Sequence, residues 1–173
     1  MNPIVHGELA WLLGQGLSTR RDRLLVTFAG LAPDLDGISI LGGSEAFSHY
    51  HHKAGHGLVA AILVSLVLLR FAKQRQACIL WGLAAFHLHV LCDLVGDGPY
   101  WAISYWWPLS NQEWHWDGAW AFVSWQNSTI GMLATLGCLA TALVWERTIV
   151  EVISVHWDNA LTATLRQRFL GRE

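Results

Sequence analysis

Apolar residues in this chain form long runs that are separated by short polar or basic joints. Residues 118–145 include 28 positions without a charged side chain, and a helix that rises about 1.5 Å per residue needs only about 20 residues to cross the hydrocarbon core of a bilayer. Residues 54–69 and 76–92 are also uncharged and are interrupted only by histidines. These three runs predict membrane-spanning helices.

Two earlier apolar runs, residues 9–19 and 24–33, are about half as long. That length is typical of a buried core helix or of a partial span. After residue 146 the sequence becomes mixed and amphipathic, as in a helix that lies along a membrane surface. We therefore predict an all-α fold: a bundle of about four to five transmembrane or partly membrane-embedded helices in residues 1–146, followed by an amphipathic C-terminal tail in residues 147–173.

The composition agrees with a membrane protein whose main partner is the lipid bilayer. Hydrophobic residues make up 53% of the chain and charged residues only 14%, whereas about a quarter of the residues in an ordinary soluble domain are charged. The net charge is −2 and the basic residues form no stripe with interleaved aromatic residues. The sequence therefore predicts no nucleic-acid-binding platform.

Basic residues concentrate at alternate joints between the apolar runs. They are Arg20, Arg21, Arg23, Lys73, Arg75 and Arg147, followed in the tail by Arg166, Arg168 and Arg172. The positive-inside rule places these joints and the tail in the cytoplasm. The opposite face then receives every cluster of histidine and aspartate, with His156 left on the cytoplasmic side. We expect a functional site on the non-cytoplasmic face.

Tryptophan is concentrated next to that face. Seven of the eleven tryptophans lie between Trp101 and Trp125, where the chain leaves one apolar run and enters the next. This distribution is typical of an aromatic belt at the membrane interface, because the indole ring is apolar and its N–H needs a polar partner. An aromatic wall of a substrate site is the alternative.

The histidines and aspartates have spacings that suit a metal site. His52 and His56 are four residues apart, as are His89 and Asp93, which predicts that each pair shares one face of a helix. A carboxylate such as Asp93 costs at least about 2.5 kcal/mol near the centre of a membrane helix, so it needs a cation, a partner or water. The alternative is a hydrogen-bonded structural cluster formed by His87, His89 and Asp93.

Other candidates surround these pairs. Asp34 and Asp36 follow Pro33 in an irregular turn from which both carboxylates could reach one ion, although helix caps or Asx turns would also explain them. The predicted ligands are His6, Asp34, Asp36, His52, His56, His89 and Asp93. Such nitrogen and oxygen donors suit zinc, and also manganese or iron. His49, His51, His115 and Asp97 stay ambiguous, and Lys53 could pair with an anionic substrate group or extend toward the interface.

The order of these motifs resembles the YdjM-type family of predicted membrane-bound, metal-dependent hydrolases of bacteria. The resemblance covers about residues 1–110 and rests on His6, Pro33-Asp34-Leu35-Asp36, His52-Lys53-Ala54-Gly55-His56, His89 with Asp93, and Tyr105-Trp106-Trp107-Pro108-Leu109. Gly57 stands where the family has a serine. A more distant similarity, to zinc-dependent phospholipase C and S1/P1 nucleases, implies phosphodiester hydrolysis, but the later histidines of those enzymes have no counterparts here.

The resemblance implies a multi-pass protein of the bacterial inner membrane that hydrolyses an ester or phosphoester with a divalent metal. A site at the lipid surface favours an amphiphilic or lipid-like substrate, and Asp36 or Asp93 could act as the catalytic base if it is not a ligand. The alternative is a non-enzymatic membrane protein, either a metal or proton transporter or a structural scaffold. Transporters place ionisable residues near the bilayer midplane, whereas here they gather at the ends of the apolar runs.

Overall fold

The computed structural model describes residues 1–171, and the elements in that range are helices joined by turns and loops, with one isolated β-bridge between Ile103 and Trp114. The α-helices are α1 (Pro3–Leu13), α2 (Arg20–Leu31), α3 (Ser44–Tyr50), α4 (Leu58–Phe71), α5 (Arg75–Gly96), α6 (Trp125–Val144) and α7 (Val155–Leu170). Short 3-10 helices occupy Gly14–Gly16, Pro33–Gly42 and Ile149–Val152. The predicted all-α class is confirmed, and Arg172 lies outside the described residues.

Among the described residues, two helices are long and apolar enough to cross a bilayer, namely α5 with 22 residues and α6 with 20. A third candidate span is the pair formed by α2 and the 3-10 helix Pro33–Gly42, which are bent by 52° at their junction. Helix α4 is apolar but has only 14 residues, or about 21 Å of rise. The multi-pass prediction is therefore supported by two or three candidate spans.

Helix α6 begins later than the uncharged run 118–145 suggests. Its first residue is Trp125, and the Ser124 side chain caps it by accepting a hydrogen bond from the backbone N–H of Asn127 at 3.3 Å. Such a cap satisfies one of the free N–H groups at a helix start. The preceding residues form turns and loop, because lack of charge alone does not make a segment helical.

Helix α5 lies at the centre of the bundle and packs against α1, α2 and α4, while α1 also packs against α2 and α6. Gly30 allows α1 and α2 to approach closely, since a Cβ atom at this position would lie 2.4 Å from the Cβ of Ala10. Leucines on α4 and α6 such as Leu63 and Leu133 are exposed in the isolated chain. Exposed apolar faces of this kind are expected on helices that contact lipid.

A buried ion pair joins the helix ends remote from the histidines. Nη2 of Arg23 donates to Oε2 of Glu151 at 2.6 Å, Nε of Arg23 donates to Oε1 at 2.7 Å, and the Trp11 indole N–H donates to Oε1 at 2.9 Å. These contacts tie the last turn of α1 and the first turn of α2 to the 3-10 helix Ile149–Val152. Basic joints and histidine clusters thus lie at opposite ends of α1, α2 and α5.

The tail begins with this 3-10 helix and continues as α7, which packs against α6. The Asp158 carboxylate accepts hydrogen bonds from the backbone N–H and the hydroxyl of Thr148, at 2.6 and 2.7 Å. These bonds fix the start of α7 against the segment that follows α6. The placement of α7 along the cytoplasmic membrane surface stays a prediction.

Candidate metal centre

The loop of residues 51–57 departs from the helix that the spacing of its histidines predicts. His52 adopts a positive φ of 65°, and the next α-helix begins only at Leu58. Gly55 brings this loop directly against the start of the 3-10 helix Pro33–Gly42, because a Cβ on Gly55 would lie 2.1 Å from the carbonyl oxygen of Pro33. The prediction that His52 and His56 share a helical face is therefore wrong, although both imidazoles are buried beside the aspartates.

Helix α5 carries His89 and Asp93 on one face, as their spacing predicts. Nδ1 of His89 donates to the carbonyl oxygen of Gly30 at 2.7 Å. This carbonyl is available because it lies in the last turn of α2, where helix carbonyls lack intrahelical partners. The bond fixes the tautomer of His89 and turns its Nε2 lone pair toward Asp93 and Asp34, whose nearest oxygens lie at 2.8 and 3.7 Å.

Four of the predicted ligands converge on one point. Asp34, His56, His89 and Asp93 each offer one donor atom, and these atoms all lie within 4.8 Å of one another. Nε2 of His89 is buried and lies 2.8 Å from Oδ2 of Asp93, but among the described residues it makes no hydrogen bond of acceptable geometry. Two imidazoles and two carboxylates are the donor types that zinc, manganese and iron accept. The residues present therefore fit a divalent metal.

Asp36 lies behind His56 rather than among these four residues. Its Oδ2 accepts hydrogen bonds from Nδ1 of His56 and from the backbone N–H of Gly55, each at 3.0 Å. Its Oδ1 lies 2.8 Å from Nδ1 of His51. Asp36 thus orients two imidazoles, in the way that carboxylates commonly support metal-binding histidines. The sequence predicts Asp36 as a ligand, whereas in the structure it contacts the far side of the His56 ring and is not one of the four converging residues.

The charge on His56 reflects its acidic surroundings. Burial favours the neutral imidazole, but hydrogen bonds to Asp36 and Asp93, together with the negative charges of both, raise the pKa of His56 to about 9. Its Nε2 lies 3.2 Å from Oδ2 of Asp93. Without a metal, the protonated ring balances part of the negative charge of the two carboxylates, and a metal bound at Nε2 would replace the proton there.

A second group adjoins the first and consists of His52, Asp93 and Asp97, whose donor atoms also lie within 4.8 Å of one another. Nε2 of His52 is 3.5 Å from Oδ2 of Asp97. The amino group of Met1 donates to Oδ1 of both Asp93 and Asp97. Burial lowers the pKa of His52, so its imidazole stays neutral, the form that binds a metal.

His6 contacts the centre without joining either group of donor atoms within residues 1–171. Its Nε2 lies 2.9 Å from Oδ1 of Asp93, and its ring stacks on His89 with the ring centroids 3.6 Å apart. The side chain is fully buried. His6 therefore supports the positions of Asp93 and His89, and a direct bond to a metal stays a prediction for this residue.

A cavity of about 500 Å³ opens beside both groups. Asp34, His52 and Asp97 line it on the polar side, and His51 lies next to them. Phe47, Trp101 and Phe122 form apolar parts of its wall. Trp101 thus lines a cavity, while other tryptophans of the 101–125 segment, among them Trp114 and Trp125, are exposed as expected of an interface belt.

The remaining candidates lie elsewhere. His87 bonds to the Leu83 carbonyl oxygen and the Tyr105 hydroxyl, at 2.8 and 2.9 Å, so it does not join His89 and Asp93 in a structural cluster. Nζ of Lys53 lies 3.6 Å from Glu113. His49, His115 and His156 are exposed. His51 and Asp97, which the sequence left ambiguous, are the cavity residues that spacing alone did not single out.

The sequence model of the YdjM inner membrane protein family matches residues 1–164, which is nearly the whole chain. No curated protein and no solved structure matches the chain. The match extends the motif resemblance, which ended near residue 110, through α6 and into α7.

Proposed function

Because the chain belongs to the YdjM inner membrane protein family, we propose that it is a membrane-bound, metal-dependent hydrolase of an ester or phosphoester. One observation carries the proposal: Asp34, His56, His89 and Asp93 come from three separate segments, and their donor atoms lie within 4.8 Å of one another. Helix caps and local turns do not require segments distant in sequence to meet in this way. The adjoining cavity gives a substrate access to the centre.

The four residues would hold the metal through two imidazole nitrogens and two carboxylate oxygens, a set that favours zinc and also accepts manganese or iron. A divalent ion held there would supply a water whose pKa is lowered to about 7 and would polarise the oxygen of the bond to be cleaved. The chain itself positions the ligands. The Gly30 carbonyl orients His89, and Asp36 orients His56. Asp34 both belongs to the ligand group and lines the cavity.

We assign the transfer of protons to His51 rather than to Asp36 or Asp93. Both oxygens of Asp36 already face histidines, and Asp93 faces the ligand group. His51 lines the cavity, and the Asp36 carboxylate lies 2.8 Å from its Nδ1. A carboxylate that accepts the Nδ1 proton leaves Nε2 able to accept or release a proton. Asp36 is then a positioning residue for both His51 and His56.

The surroundings of the cavity favour an amphiphilic substrate. Its wall includes Phe47, Trp101 and Phe122, which could contact an acyl chain or another apolar group. The 3-10 helix that carries Asp34 also exposes Leu35 and Leu41, which are 73% and 84% accessible. Strongly exposed leucines on one short segment are expected where that segment contacts lipid. A lipid-linked ester or phosphoester would then reach the metal centre from the bilayer.

We further propose that the centre faces the non-cytoplasmic side and that the tail lies in the cytoplasm, as the positive-inside rule predicts. Single cysteines introduced near Trp114 and near Arg166, in a chain without Cys78, Cys92 and Cys138, can be labelled with a membrane-impermeant maleimide. The first should react from outside intact spheroplasts and the second only after lysis. The reverse pattern would contradict this orientation.

The activity is tested with detergent-purified, zinc-loaded protein and a panel of p-nitrophenyl phosphate, a phosphodiester, carboxylic esters and a lipid phosphate. The wild-type protein should turn over at least one of them. His51→Asn should keep its metal but lose about 10²- to 10⁴-fold in rate, the range for a general acid or base. His89→Ala should lose both metal and activity, and the exposed-site control His115→Asn should lose neither.

Metal-loaded protein without turnover of any panel member would contradict the hydrolase proposal. It would favour a transporter, which uptake of zinc or protons into proteoliposomes would then reveal. Equal loss of metal from His51→Asn and His89→Ala would instead refute the role assigned to His51.

A further inference from the structure

We propose that the centre binds a second divalent cation through His52, Asp93 and Asp97, so that Asp93 bridges two ions. The inference rests on the proposed function for the first ion, which Asp34, His56 and His89 would hold together with Asp93. The second group was identified by its geometry: its three donor atoms lie within 4.8 Å of one another. Asp97 was not among the ligands expected from the sequence.

The two oxygens of Asp93 face different sides of the centre. Oδ2 lies 2.8 Å from Nε2 of His89 and 3.2 Å from Nε2 of His56. Oδ1 lies 2.9 Å from Nε2 of His6 and accepts a hydrogen bond from the amino group of Met1, which also donates to Asp97 of the second group. A carboxylate with one oxygen toward each of two donor groups has the arrangement required of a bridging ligand.

His52 provides the independent sign of a ligand. Its side chain is only 1% exposed, and within the part of the chain that the structure describes both of its ring nitrogens lack a hydrogen-bond partner. An unsatisfied buried polar group costs about 1–3 kcal/mol. The residue also has a φ of 65°, and its carbonyl oxygen accepts a hydrogen bond from Ser104 at 3.0 Å. Strained conformations of this kind cluster at functional sites.

The charges of the centre are compatible with a second dication. Four carboxylates gather here, those of Asp34, Asp36, Asp93 and Asp97, and each has a side chain at most 23% exposed. With one dication bound in place of the His56 proton, these acids, the ion and the Met1 amino group would have a net charge of about −1, and buried charges require partners. The amino group of Met1 lies between Asp93 and Asp97 and donates to both. The second ion would bind at that same place and displace the amino group, and two dications would balance the four carboxylates.

A pair of ions would also narrow the substrate class. Ions that share a bridging ligand in two-metal sites lie about 3.5–4 Å apart and stabilise the attacking and the leaving oxygen of an in-line displacement at phosphorus. Asp34 from the first group and His52 and Asp97 from the second line the same cavity. A phosphoester placed there could contact both ions. The second site therefore favours a phosphoester over a carboxylic ester as the substrate.

Manganese binding tests the second site without any activity assay. The full-length protein is stripped of metal with a chelator, titrated with Mn²⁺ and desalted. Elemental analysis then gives the number of manganese ions per chain, and electron paramagnetic resonance reports magnetic coupling between neighbouring ions. Asp97→Asn removes one ligand charge, and His52→Gly removes the imidazole without strain, because glycine accepts a positive φ. Asp117→Asn, at a carboxylate 96% exposed, is the matched control.

The wild-type protein and Asp117→Asn should each bind two ions per chain and show a spin-coupled signal. Asp97→Asn and His52→Gly should each bind one ion and show an uncoupled signal, with unchanged elution in size-exclusion chromatography. A wild-type protein that binds one ion, lost in His89→Ala but kept in Asp97→Asn, would refute the second site and leave the proposed function standing. A wild-type protein that binds no ion would refute both the second site and the proposed function. If Asp97→Asn and His52→Gly each retained two ions, these residues would not be the ligands of the second ion.

Discussion

Replacing Asp36 by asparagine separates a residue that orients ligands from a residue that binds the metal. The carboxylate accepts hydrogen bonds from His56 and Gly55 and lies 2.8 Å from Nδ1 of His51. Asparagine has one acceptor oxygen and presents an N–H₂ group on the other side, so one of these N–H donors would face another donor. If the amide keeps its oxygen toward His56, that bond to a neutral acceptor is weaker than the bond to a carboxylate, and if it turns its N–H₂ toward His56 the bond is lost, so in both cases Nε2 of His56 is held less firmly toward the metal.

The expected loss of zinc affinity follows from the hydrogen bond of Asp36 to His56, a proposed ligand. Partners of metal-binding histidines typically contribute a factor of about 10–100 in metal affinity, which corresponds to about 1.4–2.7 kcal/mol. Asp36→Asn should therefore weaken zinc binding by that factor while the first site still fills at saturating zinc. Asp93→Asn, which alters a ligand, should prevent the first site from filling at the same concentration.

Competition with a zinc-chelating dye, applied to detergent-purified protein, measures both quantities in one titration. The control is Asp117→Asn, because its carboxylate is exposed in the loop before α6 and belongs to neither donor group. An affinity for Asp36→Asn equal to that of wild type would show that the contacts of Asp36 do not orient His56. A loss of binding as complete as that of Asp93→Asn would show that Asp36 is itself a ligand, as the sequence predicts.

Three further substitutions test other parts of the account. Gly55→Ala places a Cβ 2.1 Å from the Pro33 carbonyl oxygen, so it should displace loop 51–57 and lower zinc affinity by at least about tenfold. The control Gly16→Ala adds a Cβ with no described atom within 4 Å, so it should leave zinc affinity unchanged. Glu151→Gln leaves Arg23 buried without its charge partner and should lower the free energy of unfolding by about 3–5 kcal/mol, measured by thermal or denaturant unfolding in detergent, with unchanged zinc content. His6→Ala should keep the zinc stoichiometry and lower affinity by about tenfold, and a lost zinc would make His6 a ligand.

The pair His89 and Asp93 could be identified from sequence because it lies inside a long apolar helix, where a spacing of four residues dictates a common face. The same spacing failed for His52 and His56. Their segment is a loop held against Pro33 by Gly55, and that contact depends on a residue about twenty positions away in the chain. Local spacing contains no information about such a contact.

Spacing also could not rank Asp34 against Asp36. In the 3-10 helix Pro33–Gly42 the two side chains diverge, so that Asp34 reaches the ligand group and Asp36 reaches His51 and His56. The one available signal for Asp97 was its position four residues after Asp93, immediately after the end of α5. His51 had no comparable signal, because its role depends on the cavity that Phe47 and Trp101 enclose with it.

X-ray absorption at the zinc edge of the purified, zinc-loaded wild-type protein tests the central claim most directly, because it reports both the presence of the metal and the identity of its ligands. The account predicts bound zinc with only nitrogen and oxygen neighbours, at about 2.0–2.2 Å, and a loss of the first-site zinc in His89→Ala. Cys78, Cys92 and Cys138 are free and buried, so they provide a clear contrast. Protein that retains no zinc after loading, or zinc with a sulfur neighbour at about 2.3 Å, would contradict the account.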